Sequence, residues 1–392
     1  MIISPIIFEI SQANSHLFFF WKPSQKMDSS DLLLSETENV DAFDVINGDP
    51  VFKNSESAFV EDELRESLGH LIEHNANLLS SKDVPSFQLS DGYTRDLFDI
   101  CDELMVSIEV KIYSAILLNK FLDAYKIKTT SELRKESVLS TQEIEEKIWK
   151  NMEREIPLRM ISIIQIASKM HIIHFTPRLY EITELVKDSG RTVTAEDLVE
   201  SEIVVLATID FDISMTTSPI AYLETVFQVF ALKCATDFCI DTQQYWKAAL
   251  QLLELVFLTY GTVFKFAMEA YQHFCNKSSL FLNRHSMNHL RMDYLLLVCG
   301  ILYVPIVHVY GCGSHEAKKI IEALSSCFGL NRCHVKAMAF GIIMSVTHDQ
   351  REHATSHKLL EKFDLIIFSM CDDINRNRRM SRKRRADRDL CD

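Results

Sequence analysis

The chain has 392 residues, 47% of them hydrophobic, with 10 glycines and 8 prolines. This length can hold two domains and tails, and so few helix-breaking residues favour helices over sheets. The formal net charge of −14 argues against a fold that grips duplex nucleic acid, which would need a basic face against the phosphates. The 10 cysteines form no CxxC pair, so we interpret them as reduced thiols rather than a disulfide framework.

Residues 1–57 are predicted to form a disordered acidic leader. Between Asp28 and Glu56, acidic residues alternate with serine and asparagine, and the apolar residues follow no sustained period. Such a segment buries too little apolar surface to offset the entropy of ordering it. The opening MIISPIIFEI lacks the basic region of a secretory signal, so secretion is not predicted.

Three predicted helices lead up to the centre of the first domain. The first begins near Phe59, and the next two cover Tyr93–Val106 and Ile108–Lys126. Each places apolar residues three or four positions apart, which is typical of an amphipathic helix. Residues 127–155 are charged and weakly periodic, so we expect a surface segment inserted into this domain.

The stretch Leu158–Met170, LRMISIIQIASKM, is predicted to be the central helix of the first domain. Apolar residues cover most of its circumference, and such a helix belongs inside a bundle. The exceptions form one thin polar stripe: Ser162, Gln165, Ser168 and Lys169. Pro157 suits the first turn of a helix, where the missing backbone donor has no partner to lose, so we expect the helix to begin there.

Two further helices are predicted before the first domain ends near Ile213. One covers Arg178–Ser189. The other covers Ala195–Ile209 and begins at a capping box, in which Thr194 and Asp197 stand three residues apart. Its predicted core residues are Leu198, Ile203, Val205 and Leu206.

The second domain is predicted to begin its first helix at Ser218–Pro219, a strong start signal. Its predicted helices are Pro219–Lys233, Tyr245–Tyr260, Val263–Cys275, Met292–Tyr310, His315–Phe328 and Cys333–Val346. One of them overlaps the stretch Tyr294–Ser314, whose 21 residues include no Asp, Glu, Lys or Arg and could span a bilayer by length. Pro305 and His308 within it favour a buried central helix instead, and we expect no membrane contact.

The sequence therefore predicts an all-α fold of two five-helix bundles. The first domain covers 58–213, with 127–155 as its inserted segment, and the second covers 214–350. Residues 351–392 are predicted to be a C-terminal helix followed by a basic tail.

The order of several segments resembles the cyclin box: LLNKFL, a polar gap, ASK, ESEIVVLATIDFDI and then TSPIAYLETV. Cyclins carry a lysine after Ala-Ser on the third box helix, and a glutamate on the fifth shortly before a Phe-Asp pair. These positions are Lys169, Glu202, Phe211 and Asp212. The segments ESLGHLIEHN, LRMISIIQIASKM, SPIAYLETVFQV and LLELVFL narrow the resemblance to the cyclin N-terminal domain-containing protein 1 family, a meiotic cyclin-like family that marks crossover sites.

This resemblance implies two tandem cyclin boxes and a non-catalytic regulator. It would promote the designation and maturation of meiotic crossovers during homologous recombination, on chromosomes in the nucleus. The implied partners are a kinase of the cyclin-dependent kinase 2 type and meiotic recombination proteins. One alternative is a kinase-independent scaffold that recruits recombination proteins at crossover sites. Another is a general cyclin-fold transcription or cell-cycle factor, although the acidic body disfavours a version that grips DNA.

By the same resemblance, Lys169 and Glu202 bracket the face that receives a kinase helix. The apolar floor of that face would be Ile166, Met170, Leu206, Phe211 and Ile213. Without the resemblance, Lys169 and Glu202 are an ordinary surface pair worth little. The segment YTRDLFDICDEL lacks the substrate-docking patch that typical cyclins carry on the first box helix, so recruitment by that route is not expected.

No motif of an enzyme is present: there is no GxSxG, no GxxxxGK[ST] and no HExxH. We therefore expect no catalytic activity and no cofactor. His308, Cys312 and His315 are loosely spaced donors without a fourth, which is a weak signal for zinc. We interpret them, like Cys333 and His334, as ordinary thiols and helix-end histidines.

The tail at 376–392 carries eight basic and three acidic residues. Its run RNRRMSRKRR is predicted to be a nuclear-localisation signal rather than a sequence-specific nucleic-acid reader. The signal residues are Arg378, Arg379, Arg382, Lys383, Arg384 and Arg385. Ser381 follows Arg-Arg-Met, so a basophilic kinase could phosphorylate it and weaken the patch.

Overall fold

The computed structural model describes residues 58–80, 90–136, 140–171, 177–188, 193–213, 218–232, 242–274, 287–311 and 313–349. These ranges contain 13 α-helices and no strand, so the predicted all-α class is confirmed. The predicted leader, the C-terminal helix and the basic tail with its localisation residues lie outside the described residues.

The described residues divide into two compact units, with the chain passing from the first to the second after Ser214. The first unit begins at Gly92 and contains five helices. They are α2 (Asp91–Glu103), α3 (Ile108–Glu136), α4 (Thr141–His171), α5 (Leu179–Asp188) and α6 (Ala195–Thr208).

Helix α4 is the centre of the first unit, as predicted for Leu158–Met170. It packs against both α3 and α6, and every residue from Met160 to Ser168 is buried. Gln165 satisfies its amide by donating from Nε2 to the carbonyl of Pro177 over 2.8 Å. Of the polar stripe, Ser162, Gln165 and Ser168 therefore lie inside the core, whereas Lys169 reaches the surface.

The prediction that Pro157 opens the central helix was wrong, because α4 begins 16 residues earlier, at Thr141, and continues through the proline. Ser140 and Glu143 form a capping box: the Glu143 amide donates to Ser140 Oγ over 3.3 Å, and the Ser140 amide donates to Glu143 Oε2 over 2.8 Å. This Ser-x-x-Glu signal is visible in the sequence. It starts a helix that an interior proline would otherwise disfavour by about 3 kcal/mol.

The described residues between 127 and 155 form the end of α3 and the beginning of α4, and the predicted surface segment has buried residues there. The first part of α4 places Ile144, Ile148, Met152 and Ile156 at four-residue intervals, all buried. Ile144 and Ile148 pack with Leu133 of α3 in a small separate core, against which Tyr125 also lies. The arm, defined as 125–136 of α3 and 141–156 of α4, has its own hydrophobic stabilisation.

The second unit contains α1 (Ala58–Ser80) together with all described helices after Ser214. The latter are α7 (Pro219–Phe230), α8 (Thr242–Leu258), α9 (Tyr260–Phe274), α10 (Met287–Met292), α11 (Tyr294–Tyr310), α12 (His315–Phe328) and α13 (Arg332–Asp349). Helix α7 begins as predicted, with Ser218 as N-cap and Pro219 in the first turn. The short helix α10 was not predicted, and the unit has more than five helices in its described part.

Helix α1 was assigned to the first domain from its place in the sequence, but in the structure it belongs to the second unit, where it packs on α7, α10 and α11. Leu64 and Leu71 are its buried apolar residues. The hydroxyl of Tyr222 donates to the carbonyl of Leu71 over 2.9 Å. Asn75 Nδ2 donates to Asp293 Oδ1 over 3.0 Å. These partners all come from later in the chain, so position in the sequence could not reveal the grouping.

Helix α11 is the buried apolar helix expected within Tyr294–Ser314, since every residue from Tyr294 to Ile306 is buried. Helix α13 packs on both α9 and α11. A Cβ at Gly341 would lie 2.7 Å from the backbone of Ala267 and from the carbonyl oxygen of Val263, so only glycine permits this close crossing.

Across the ranges that the structure covers, no single helix is long and apolar enough to cross a membrane. One bent pair, Thr242–Leu258 with Tyr260–Tyr271, would qualify by length and composition alone.

Candidate docking surface

Lys169 and Glu202 meet as an ion pair at the end of the central helix. Lys169 Nζ lies 2.6 Å from Oε1 and 2.8 Å from Oε2 of Glu202. Lys169 stands in the last turn of α4, where a positive charge is favoured by the helix dipole. Half of the lysine side chain is exposed, so the pair contributes little to stability while presenting two charged groups at the surface.

The register between α4 and α6 is fixed by a buried contact at Ser201, the residue before Glu202. Ser162 Oγ and Ser201 Oγ are hydrogen-bonded at 2.7 Å in a buried position, and Ser162 also donates to the carbonyl of Leu158 over 3.0 Å. Helix α6 itself begins at the predicted capping box of Thr194 and Asp197. Since Ser201 directly precedes Glu202, the buried contact determines where the carboxylate emerges.

The five apolar residues predicted for the floor differ in exposure. Ile166 is buried, and Leu206 and Ile213 are partly buried. Met170 and Phe211 are 49% and 65% exposed. Two of the five are therefore exposed and available for contact, whereas the other three are buried or partly buried in the first unit.

Two exposed apolar residues on α6 were missed by the sequence reasoning. Val199 and Ile203 are each 56% exposed, and their four-residue spacing places them on one face of the helix. The assignment of Ile203 to the core was wrong. Leu198 and Val205 are buried, and an amphipathic helix buries one stripe only. Their exposure could have been expected from the sequence, because α6 contains more apolar residues than a single buried stripe can hold. We define the docking surface as the seven predicted residues together with Val199 and Ile203.

The turn that follows α6 has an unusual backbone. Asp210 and Phe211 both have left-handed conformations, with φ of 53° and 56°, which disfavours residues other than glycine by about 1–2 kcal/mol each. The Phe211 amide donates to the carbonyl of Leu206 over 2.8 Å, and the Asp212 amide donates to Ile209 over 3.0 Å. This tight reversal ends the helix and leaves the Phe211 ring in solvent.

Helix α3 holds the far side of this turn. The hydroxyl of Tyr113 donates to the carbonyl of Ile213 over 3.1 Å. Lys120 Nζ donates to the carbonyl of Asp212 over 2.5 Å and lies 2.5 Å from its Oδ2. Burial raises the pKa of Tyr113, so its hydroxyl keeps the proton that it donates. Neither residue was predicted, because nothing local in the sequence links positions about 100 residues apart.

His171, the last residue of α4, packs edge-on against the ring of Tyr113, with centroids 4.5 Å apart. Partial burial lowers the pKa of His171, and the nearby carboxylate of Glu109 acts in the opposite direction. The neutral ring is thus favoured beside Tyr113, and the contact is one of aromatic packing.

No group of three or more His, Cys, Asp or Glu side chains in the described ranges is arranged to hold a metal ion. His334, one of the donors considered in the sequence, packs its ring 4.8 Å from that of Tyr271. Cys312 lies outside the described residues.

No family model matches the chain. It is 21% identical over 231 residues to the human (Homo sapiens) cyclin N-terminal domain-containing protein 1, a match that covers 57% of this chain and 67% of that protein. It is 22% identical to the mouse (Mus musculus) protein of the same name, covering 57% and 66%. The chain is cyclin-like. The match spans about two thirds of each relative, and the all-α cyclin-box fold is confirmed.

The helix order of this cyclin-like chain agrees with the positions that the resemblance assigned. Counting from α2, α4 is the third helix of the first unit and α6 is the fifth. These are the helices expected to carry Lys169 and Glu202. The structure brings these two residues together, and it adds Val199 and Ile203 on the exposed face of the fifth helix.

Proposed function

We propose that this cyclin-like chain is a non-catalytic regulator that binds a cyclin-dependent kinase through the docking surface. The observation that carries the proposal is the exposure of Val199, Ile203 and Phe211 around a formed Lys169–Glu202 pair. Single exposed apolar residues are ordinary on a soluble protein. Here they gather on α6 and the turn that ends it, next to the one ion pair that joins α4 to α6 in the described residues.

The shape of the site suits an amphipathic helix of the kinase. A partner helix recognises another helix through apolar residues at intervals of three and four positions, and Val199 and Ile203 follow that interval. Lys169 and Glu202 would stand at the rim, with donors and acceptors for the polar groups of the incoming helix. Because each is already paired with the other, neither charge is stranded before the partner arrives.

We further propose that the kinase is of the cyclin-dependent kinase 2 type and that the complex promotes the designation and maturation of meiotic crossovers. Support comes from the resemblance of LRMISIIQIASKM and AEDLVESEIVVLATIDFDI to the meiotic cyclin-like family. Recombination proteins at crossover sites would be further partners. The basic run at 376–385 supports a nuclear location.

The decisive variant combines Lys169→Ala with Glu202→Ala. Loss of desolvated, hydrogen-bonded charges at an interface weakens binding by about 2–5 kcal/mol, which is about 30-fold to several-thousand-fold in affinity. We expect such a loss against purified cyclin-dependent kinase 2 in biolayer interferometry. The melting temperature should stay close to wild type, since surface changes usually alter stability by less than about 0.5 kcal/mol.

The matched control combines Glu184→Ala with Lys187→Ala, an exposed pair on α5 separated by 3.5 Å. It removes the same charges away from the docking surface and should bind as wild type. Equal binding by both double variants would refute docking through this surface. A wild-type chain that binds no kinase, yet restores crossovers in a null germline, would support the scaffold alternative.

A further inference from the structure

The turn from Ile209 to Ile213 holds a conformation that its own residues disfavour. Asp210 and Phe211 are both left-handed, although neither is glycine, and the Phe211 ring is mostly exposed. Packing of that ring therefore does little to hold the turn in place. A strained backbone persists only when surrounding contacts determine it, so contacts from elsewhere are expected beside the backbone hydrogen bonds of the turn itself.

Those contacts come from one face of α3. Tyr113 and Lys120 are seven positions apart, which is two helical turns, and therefore point the same way. They donate to the successive carbonyls of Ile213 and Asp212, and Lys120 also pairs with the Asp212 carboxylate. Tyr113 is buried in the core of the first unit. Helix α3 thus holds the end of the turn through two hydrogen bonds to carbonyls and one ion pair.

We propose that Tyr113 and Lys120 are positioning residues of the docking surface, which hold the turn so that Phe211 stays exposed for the partner. This proposal rests on the proposed function, because it assigns the turn to kinase docking. Neither residue needs to touch the kinase. They raise the fraction of the protein that is ready to bind, and if their loss lowers that fraction to about one tenth, the apparent Kd rises about tenfold.

Two variants of the full chain test whether these contacts hold the turn. Lys120→Met keeps the aliphatic stem and removes the charge, and Tyr113→Phe keeps the ring beside His171 and removes the hydroxyl. We expect each to speed hydrogen–deuterium exchange at the amides of Phe211 and Asp212 by about tenfold, and to weaken binding of cyclin-dependent kinase 2 by about tenfold. The melting temperature should stay within about 2 °C of wild type.

The control is Lys126→Met on the same helix. Lys126 also forms a salt bridge, 3.2 Å from Glu145, but it lies in the arm and does not contact the turn. This variant should exchange and bind as wild type.

A rescue separates positioning from general support of the core. Asp210→Gly, added to Lys120→Met, makes the left-handed conformation acceptable at that position. Compared with Lys120→Met alone, we expect the double variant to exchange more slowly at the Phe211 amide and to recover most of the kinase affinity. Such recovery would not follow if Lys120 merely supported the fold.

Unchanged exchange in both α3 variants would overturn the proposal, and so would faster exchange with wild-type affinity. If the wild-type chain binds no kinase, the proposed function fails and the docking part of this proposal fails with it. Hydrogen–deuterium exchange in the free protein still tests whether Tyr113 and Lys120 hold the turn, because that measurement needs no kinase. It therefore separates a failure of the proposed function from a failure of the positioning proposal.

Discussion

Asp99 on α2 is a carboxyl group in an unfavourable place. Burial raises its pKa to about 6, and the nearby Asp96, Asp102 and Glu103 act in the same direction. Lys111 is the cation that opposes this shift, but its ammonium group is hydrogen-bonded to Asp102. The ionised form of Asp99 is therefore poorly compensated in the folded state.

Asp99→Asn should stabilise the protein at neutral pH. A carboxyl group with a raised pKa keeps its proton in the folded state up to about pH 6, whereas the unfolded chain releases it near 3.8. The folded state binds more protons between these values, so this group's contribution to stability falls as the pH rises through that window. At pH 7 the variant should be more stable than wild type by about 1 kcal/mol, a value kept modest because residual solvent exposure reduces the effect. At pH 4 the two proteins should differ little in stability.

Urea unfolding at the two pH values provides the measurement. Glu132→Gln, which removes an exposed carboxyl group on α3, serves as the control and should change stability little at either pH. A variant of Asp99 that is no more stable than wild type at pH 7 would contradict the assigned burial.

For single residues, the sequence predicts contacts between near neighbours in the chain. The capping box of Thr194 with Asp197 and the start at Ser218 were both predicted, because each depends on residues within one turn. The bond from Tyr113 to Ile213 spans 100 residues and has no local signal. The exposure of Ile203 was missed because spacing reveals that a stripe exists, while packing decides which stripe faces the core.

Helix α4 shows how tertiary packing overrides a local rule. Pro157 marked a helix start in the sequence, yet the helix runs through it, since Met152 and Ile156 before the proline and Met160 after it continue one buried face. Burying a large aliphatic side chain is worth about 1.5–3 kcal/mol, so a few of them offset the interior proline. The central helix was predictable from composition, but Pro157 was given more weight than the Ser140–Glu143 capping box that marks the true start.

Ile148→Asp should unfold the arm without removing the docking surface. It would place a carboxylate in the small core with Ile144 and Leu133, where an unpaired charge is costly. We expect faster hydrogen–deuterium exchange in 125–136 and 141–156, with near-native protection of α6 and retained kinase affinity. Lys147→Asp, at the exposed neighbouring position, should leave exchange unchanged. Loss of protection throughout α6 would show instead that the arm does not unfold on its own.

The second unit depends on a buried polar junction between distant parts of the chain. Asn75 of α1 donates to Asp293 and accepts from the amide of Leu295 over 3.4 Å. Asp293 in turn caps α11 by accepting from the amide of Leu296 over 3.0 Å. Asn75 and Asp293 are both buried, so each polar atom needs its partner.

Asn75→Ala should weaken the second unit by about 1–3 kcal/mol, because it leaves Asp293 buried without one of its donors. Thermal unfolding and exchange of α1 would measure the loss. Asn77→Ala, an exposed position two residues later, provides the control and should behave as wild type. Equal stability of the two variants would mean that the junction does not hold α1.

For the whole molecule, the all-α class followed from composition and periodicity, and the cyclin-like nature followed from a few spaced residues. The membership of α1 did not follow, because periodicity identifies a helix with an apolar face without naming what covers that face. Leu64 and Leu71 on α1 signal a buried stripe, and only the folded chain reveals that α7, α10 and α11 provide the cover.

The grouping of α1 with later helices also sets an order of events on the ribosome. Among the described helices α1 is synthesised first, but α7 begins at Pro219, so the partners of α1 are missing for the time needed to translate the intervening residues. At roughly 5–20 residues per second this wait is on the order of ten seconds. All five helices of the first unit can emerge in the meantime. The nascent chain therefore carries a helix whose apolar face, with Leu64 and Leu71, stays uncovered until the later helices of its own unit have been made.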